Sequence, residues 1–116
     1  MMELLSTLKT YISTSLSIFL IFLICPIAMA EDQGQKLFTA HCSGCHINGG
    51  NIIRRGKTLK MSALKRNKLD NVEAIARVAR EGIGSMGGYK EVLGERGDQA
   101  VAIWIWDQAQ KAWIQG

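Results

Sequence analysis

The sequence has few residues that could cross-link it. Its 116 residues include three cysteines, two histidines and one proline. Three cysteines cannot build the dense disulfide framework of a small secreted scaffold. Internal repeats and low-complexity tracts are missing as well. The length leaves no room for a multi-domain enzyme or a doubly wound nucleotide binder. What is present is apolar. A hydrophobic fraction of 47% suits one globular domain and argues against a disordered tail. Fourteen Lys and Arg against ten Asp and Glu give a formal charge of +4.

Charge is scarce in the first thirty residues, which carry only Glu3 and Lys9. The 21 residues from Thr10 to Ala30 are uncharged, and their centre, Ile18 to Ile24, is continuously apolar. Pro26 follows, and Ala28-Met29-Ala30 supplies the small residues that a processing enzyme reads. Residues 1–30 therefore read as a secretory signal peptide cut after Ala30, leaving a domain of 31–116. The rival is an uncleaved anchor, because a stretch of 21 residues just spans a bilayer. The Ala-Met-Ala end favours cleavage. Cys25 lies inside the leader behind bulky Ile24 and reads as one more apolar residue. A chain as short as 31–116 buries a limited core and often needs a disulfide, metal or cofactor to hold it.

Past the leader the patterning is helical throughout, which predicts a small all-α fold. Gln33 to His41 places Gly34, Leu37, Phe38 and His41 on one face. Asn48-Gly49-Gly50-Asn51 is turn chemistry. Ser62 to Lys68 suits one or two helical turns. Asp70 or Asn71 can cap a helix to Glu81, with Val72, Ile75, Ala76 and Ala79 on its apolar face, and Gly82 ends it. A glycine-rich loop, Gly82 to Gly88, comes next. Asp98 is the expected cap of a last helix running to about Ala112, with Val101, Trp104 and Ile105 facing the core.

Cys42-Ser43-Gly44-Cys45-His46 is the C-x-x-C-H pattern of c-type haem attachment. Two thiols add across the two haem vinyl groups, and a two-residue spacer sets their separation. The adjoining imidazole ligates the iron, and small Ser43 and Gly44 let the ring lie close to the backbone. A dithiol redox pair would need a βαβ context, which is missing. A zinc site would need a second Cys/His pair, and His41 is the only spare ligand. The other axial ligand is a choice among few residues. His41 precedes Cys42 and stays on the proximal side. Met61 sits in a basic segment. Met86 is surrounded by Gly82, Gly84, Gly87 and Gly88, which give a loop the freedom to bring a thioether to iron. That favours Met86 over Met61 or an open site, although the ordinary role of Met is core filler.

On these residues, 31–116 resembles the class I cytochromes c, and most closely the cytochrome c6 family of soluble photosynthetic carriers in cyanobacteria and algae. Gly34 to Phe38 leading into Cys42–His46 is similar to the family's first helix and haem motif. Lys57-Thr58-Leu59, Ala63-Leu64 and Asn67 match its middle segment, and Val72 to Ile75 its third helix. Gly82 with Met86 matches the methionine loop, and Val101-Ala102, Asp107-Gln108-Ala109 and Trp113 the last helix. The resemblance implies about four helices around one covalently bound haem c, with the first and last helices crossing where Gly34 and Phe38 meet the Trp104 region. It implies haem attachment at Cys42 and Cys45, and iron ligation by His46 and Met86. It also implies a one-electron carrier from the cytochrome b6f complex to photosystem I or a terminal oxidase, in the thylakoid lumen or periplasm. Three positions depart from the family pattern. Gly87 follows the Met where the family has Pro. Val78 stands where the family has Gln. Lys90-Glu91-Val92 replaces Gly-Gly-Arg. Such departures resemble the divergent branches of the family.

Residues 54–68 hold Arg54, Arg55, Lys57, Lys60, Lys65, Arg66 and Lys68 without one acid. The run reads either as a solvated face or as a surface that steers an acidic partner. Export and haem chemistry argue against nucleic acid. A carrier with two axial ligands is the main functional expectation, not an enzyme. The alternative is an exported haem sensor or peroxidase-like protein with an open iron site, for which the loop from Gly82 to Gly88 supplies no distal His or Arg. After cleavage no stable membrane insertion is expected.

Overall fold

A computed structural model of the chain describes the backbone of residues 1–114 and the side chains of 1–12 and 33–114. Five α-helices form it: α1 (Met2–His41), α2 (Met61–Arg66), α3 (Val72–Glu81), α4 (Lys90–Leu93) and α5 (Gly97–Gln110). A 3-10 turn, Ile47–Gly49, follows the cysteine motif. Between α3 and α4 lies an antiparallel ribbon of β1 (Gly82–Ile83) and β2 (Met86–Gly87). The expected helix from Gln33 is the C-terminal part of α1, which continues back to Met2. Cys25 and Ala28-Met29-Ala30 lie outside the residues whose side chains are described. Among the described residues no helix is long and apolar enough to cross a membrane.

The core is built where α1 crosses α5. Gly34 lets the backbones touch: a Cβ there would stand 2.2 Å from the Ala100 carbonyl oxygen and 2.7 Å from Trp104 Cβ. One turn on, Phe38 packs on Trp104 with ring centroids 4.7 Å apart. Trp113 completes the cluster, 5.5 Å from Phe38 and edge-on to Trp104 at 5.7 Å. All three rings are buried. Burying each contributes about 2–3 kcal/mol from removed apolar surface alone. The crossing is the one the resemblance implied, at Gly34, Phe38 and Trp104.

α3 packs its Ala74, Ile75, Ala76 and Ala79 face inward. Asn71, one of two expected caps, accepts from the Ala74 amide at 2.8 Å. Three details differ from the patterning. Asp98 does not cap α5; Arg96 occupies the cap position in a left-handed conformation, and Gly97 begins the helix. Asp98 lies in the first turn, where a carboxylate suits the helix dipole, and is committed to Arg80 of α3. The last helix ends at Gln110 rather than near Ala112, because Ala112 and Trp113 take positive φ and fold the indole back on the core. Residues 82–88 are a ribbon with a two-residue turn, Gly84-Ser85, instead of an open loop. Gly84 has φ 58°, as such tight turns demand.

Candidate cofactor site

The helix-to-turn junction at the end of α1 fixes the cysteine motif. The Cys42 and Ser43 amides donate to the Phe38 carbonyl, and the Cys45 and His46 amides to the Cys42 carbonyl. This tight winding holds Cys42 half-buried and His46 buried at 8% exposure, so the histidine belongs to the interior. His46 Nδ1 stands 2.7 Å from the Gly50 carbonyl oxygen. A carbonyl only accepts, so Nδ1 carries the proton and Nε2 keeps a free lone pair. Such a second hydrogen bond sets the tautomer and orientation of a ligating histidine.

The Gly50 carbonyl is itself held in place. The Gly49 amide donates to the His46 carbonyl, and the Leu59 amide to the Gly49 carbonyl at 2.8 Å. Trp113 Nε1 donates to the Leu59 carbonyl at 3.1 Å. Gly49, at φ 72°, lies against the same indole; a Cβ there would come within 2.3 Å of it. Sequence reasoning missed this support. Asn48-Gly49-Gly50 announced a turn, but no local signal brings Trp113 back onto it.

From this junction a cleft of about 340 Å³ opens between the loop 51–59 and the α3–ribbon segment. Leu59, Leu64, Ile75, Val78, Ala79, Leu93 and Ile105 give it apolar walls. Cys42 and His46 line it from the α1 junction, and Met86 lines it from β2. Cys45 is exposed and is not among the lining residues. Neither His41, half-buried at the end of α1, nor Met61, packed against the core at the start of α2, reaches it. Val78 is half-buried in the wall, and a side chain at Gly87 would meet nothing within 4 Å. Crowding therefore does not explain glycine at that position.

The ribbon that carries Met86 is closed at its base by two close approaches. A Cβ on Gly82 would stand 2.4 Å from the Met86 carbonyl oxygen, and one on Gly88 2.5 Å from the Arg80 carbonyl oxygen. The Tyr89 amide donates to the Ala79 carbonyl at 2.9 Å. Met86 is thus held by backbone contacts to the end of α3. As a free thiol, Cys42 is pushed up to about 11 by burial, with Cys45 beside it.

These residues fit a flat, apolar group with a central metal. The donors are a tautomer-fixed imidazole and a thioether, two thiols stand at the C-x-x-C spacing, and apolar side chains line the space between. Fold and donor set together define a small c-type cytochrome. Comparison with known proteins agrees. The family model described as cytochrome c oxidase, cbb3-type, subunit III matches residues 29–105. A cytochrome c6-like protein of Nostoc sp. is 45% identical over 98 residues, covering 83% of this chain and 88% of its own length. The crystal structure of cytochrome c6B from Synechococcus sp. WH8102 has 64% identity and a TM-score of 0.71, over 72% of this chain and 96% of that one. Cytochrome c6C from Synechococcus sp. PCC 7002 has 47% identity and a TM-score of 0.65, over 68% and 96%. The chain belongs to the cytochrome c6 family, and its structural neighbours include the c6B and c6C branches. It carries one covalently bound c-type haem and is a one-electron carrier.

Proposed function

We propose that thioether bonds from Cys42 and Cys45 hold the haem and that His46 and Met86 are its two axial ligands. The observation that carries this is the convergence of His46 and Met86 on one apolar cleft from segments forty residues apart. When bound, the haem supplies a one-electron couple at its iron. The chain's own part is to hold ligands and exclude water. His46 offers Nε2 because Gly50 occupies Nδ1–H. Met86 offers a soft thioether, which raises the potential relative to harder ligands. Two permanent protein ligands leave no position for a substrate, in keeping with a carrier and not an enzyme. With His46 held by Gly50 and Met86 by the ribbon, neither side chain would need to move on electron transfer, which would keep the reorganisation small.

The family's setting supports an exported protein. In finer terms, residues 1–30 are a signal peptide cleaved after Ala30, residues 31–116 are the haem domain, and the compartment is the thylakoid lumen or periplasm. The partners are redox proteins, with cytochrome b6f as donor and photosystem I or a terminal oxidase as acceptor. Intact mass of the protein purified from cells that export it tests the first part. A chain starting at Glu31 with one haem added is the expected mass. Retention of 1–30 would overturn the cleavage, and a mass without haem would overturn the attachment.

A further inference from the structure

The sequence left open whether the basic run is only a solvated face. In the structure all seven cations of 54–68 are exposed, and none pairs with a carboxylate among the described residues. Elsewhere the chain holds seven cations and ten acids, so the excess of positive charge comes from this one segment. The segment is rigidly built. Asn51 Oδ1 accepts from the Ile53 and Arg54 amides at 2.9 and 2.8 Å. Asn67 Nδ2 donates to the carbonyls of Gly56 and Ala63, and Lys57 Nζ donates to Asn67 Oδ1. Two asparagines thus tie the loop to itself and to α2, with its cations held at the surface.

Position gives the charge a use. Arg54 and Lys57 line the haem cleft, so the basic face begins at its rim. Beside them Ile52 and Ile53 are 67% and 68% exposed. Across the cleft the segment 83–93 contributes Ile83, Gly84, Met86, Tyr89 and Leu93, none of them a Lys, Arg, Asp or Glu, and the nearby Glu81 and Asp98 are both paired with Arg80. One rim therefore carries Arg54 and Lys57, and the other carries no charged lining residue. Apolar contacts edged by charge are the anatomy of a transient interface, and charge of one sign at a cleft speeds and orients encounter.

We infer that 52–68 is a docking face for an acidic redox-protein surface, and that such a partner approaches over the Arg54–Lys57 rim and not over the Met86 ribbon. This rests on the carrier reading and refines it. An anionic bilayer has no need of the cleft, whereas two of these cations, Arg54 and Lys57, stand on its rim and the other five follow them in the same segment. The partner's carboxylates face the cations, and Ile52 and Ile53 are desolvated against its apolar centre.

The test is stopped-flow reduction of the oxidised holoprotein by flavodoxin hydroquinone, an acidic one-electron protein, over a range of salt. Lys60→Glu with Lys65→Glu is the test variant, and Lys90→Glu, beside the other rim, is the control. The wild-type rate should fall roughly tenfold or more as salt is raised, and the double variant should lose a similar factor at low salt. Lys90→Glu should stay within about twofold of wild type, since one charge far from the contact changes encounter little. A salt-independent rate, or a Lys90→Glu effect equal to the double variant's, would overturn the proposal. So would binding to phosphatidylglycerol vesicles that the double variant loses while its rate with flavodoxin stays that of wild type, which would assign the face to membrane. A photogenerated neutral flavin radical serves as the charge-blind reductant. It should reduce all three proteins alike; its failure to reduce the wild type by one electron would count against the carrier reading instead.

Discussion

Val78 occupies the place in the cleft wall where a polar amide would change what surrounds the cofactor. It is half-buried among Ile75, Ala79 and Met86, and an aliphatic chain there offers no hydrogen bond. Groups that orient around a metal's ligands tune its potential. Val78→Gln should raise the midpoint potential with the axial ligands unchanged. Each ~59 mV in a one-electron couple is a tenfold change in equilibrium constant, so even a modest rise would change which donors can reduce the protein. Titration of both proteins in one buffer checks this; an equal or lower potential in the Gln variant would remove Val78 from that role. The ligand assignment has its own pair of variants. Met86→Ala should abolish the long-wavelength absorbance of the oxidised protein that marks a methionine–iron bond, while Met61→Leu should leave it intact. The reverse result would exchange the two residues. At this scale the position of Cys42 and His46 on the cleft was legible because the C-x-x-C-H pattern is local in the chain. The place of Met86 on the cleft wall was legible because its glycines stand beside it in the chain. The Gly50 carbonyl that selects the His46 tautomer was not, because a backbone acceptor has no residue signature.

Among the elements, α1 and α5 bear the most packing, and one glycine sets their separation. Gly34→Leu would drive its Cβ into the Ala100 carbonyl and Trp104. Forced overpacking of this kind costs about 1–3 kcal/mol, or more where the obstacle is backbone. The variant should unfold at a clearly lower denaturant midpoint than Gly34→Ala. Equal midpoints for the two would mean that the crossing has slack. Helical periodicity made α3 and α5 readable, and Asn71 was legible as a cap because its side chain acts three residues away. Asp98 misled for the same local reason: it is good cap chemistry, but Arg80, eighteen residues earlier, claims its carboxylate. The ribbon of β1 and β2 is two residues a side, too short for any alternation to show. The return of Trp113 depends on a long-range hydrogen bond to Leu59, which nothing near Trp113 in the sequence announces.

For the molecule as a whole, charge and cofactor chemistry share one cleft. A basic rim, a closed ribbon and apolar walls surround the place where His46 and Met86 converge. On the proposed ligand set both protein ligands stay bound, so that the iron passes electrons and takes no substrate. The most direct measurement is the absorption spectrum of the purified holoprotein, oxidised and then reduced under carbon monoxide. A weak long-wavelength band in the oxidised state, lost on one-electron reduction, together with no spectral change when carbon monoxide is added to the reduced protein, is the predicted result. Absence of that band with prompt formation of a carbon monoxide adduct would show an open iron position, and would replace the carrier with a sensor or peroxidase-like protein.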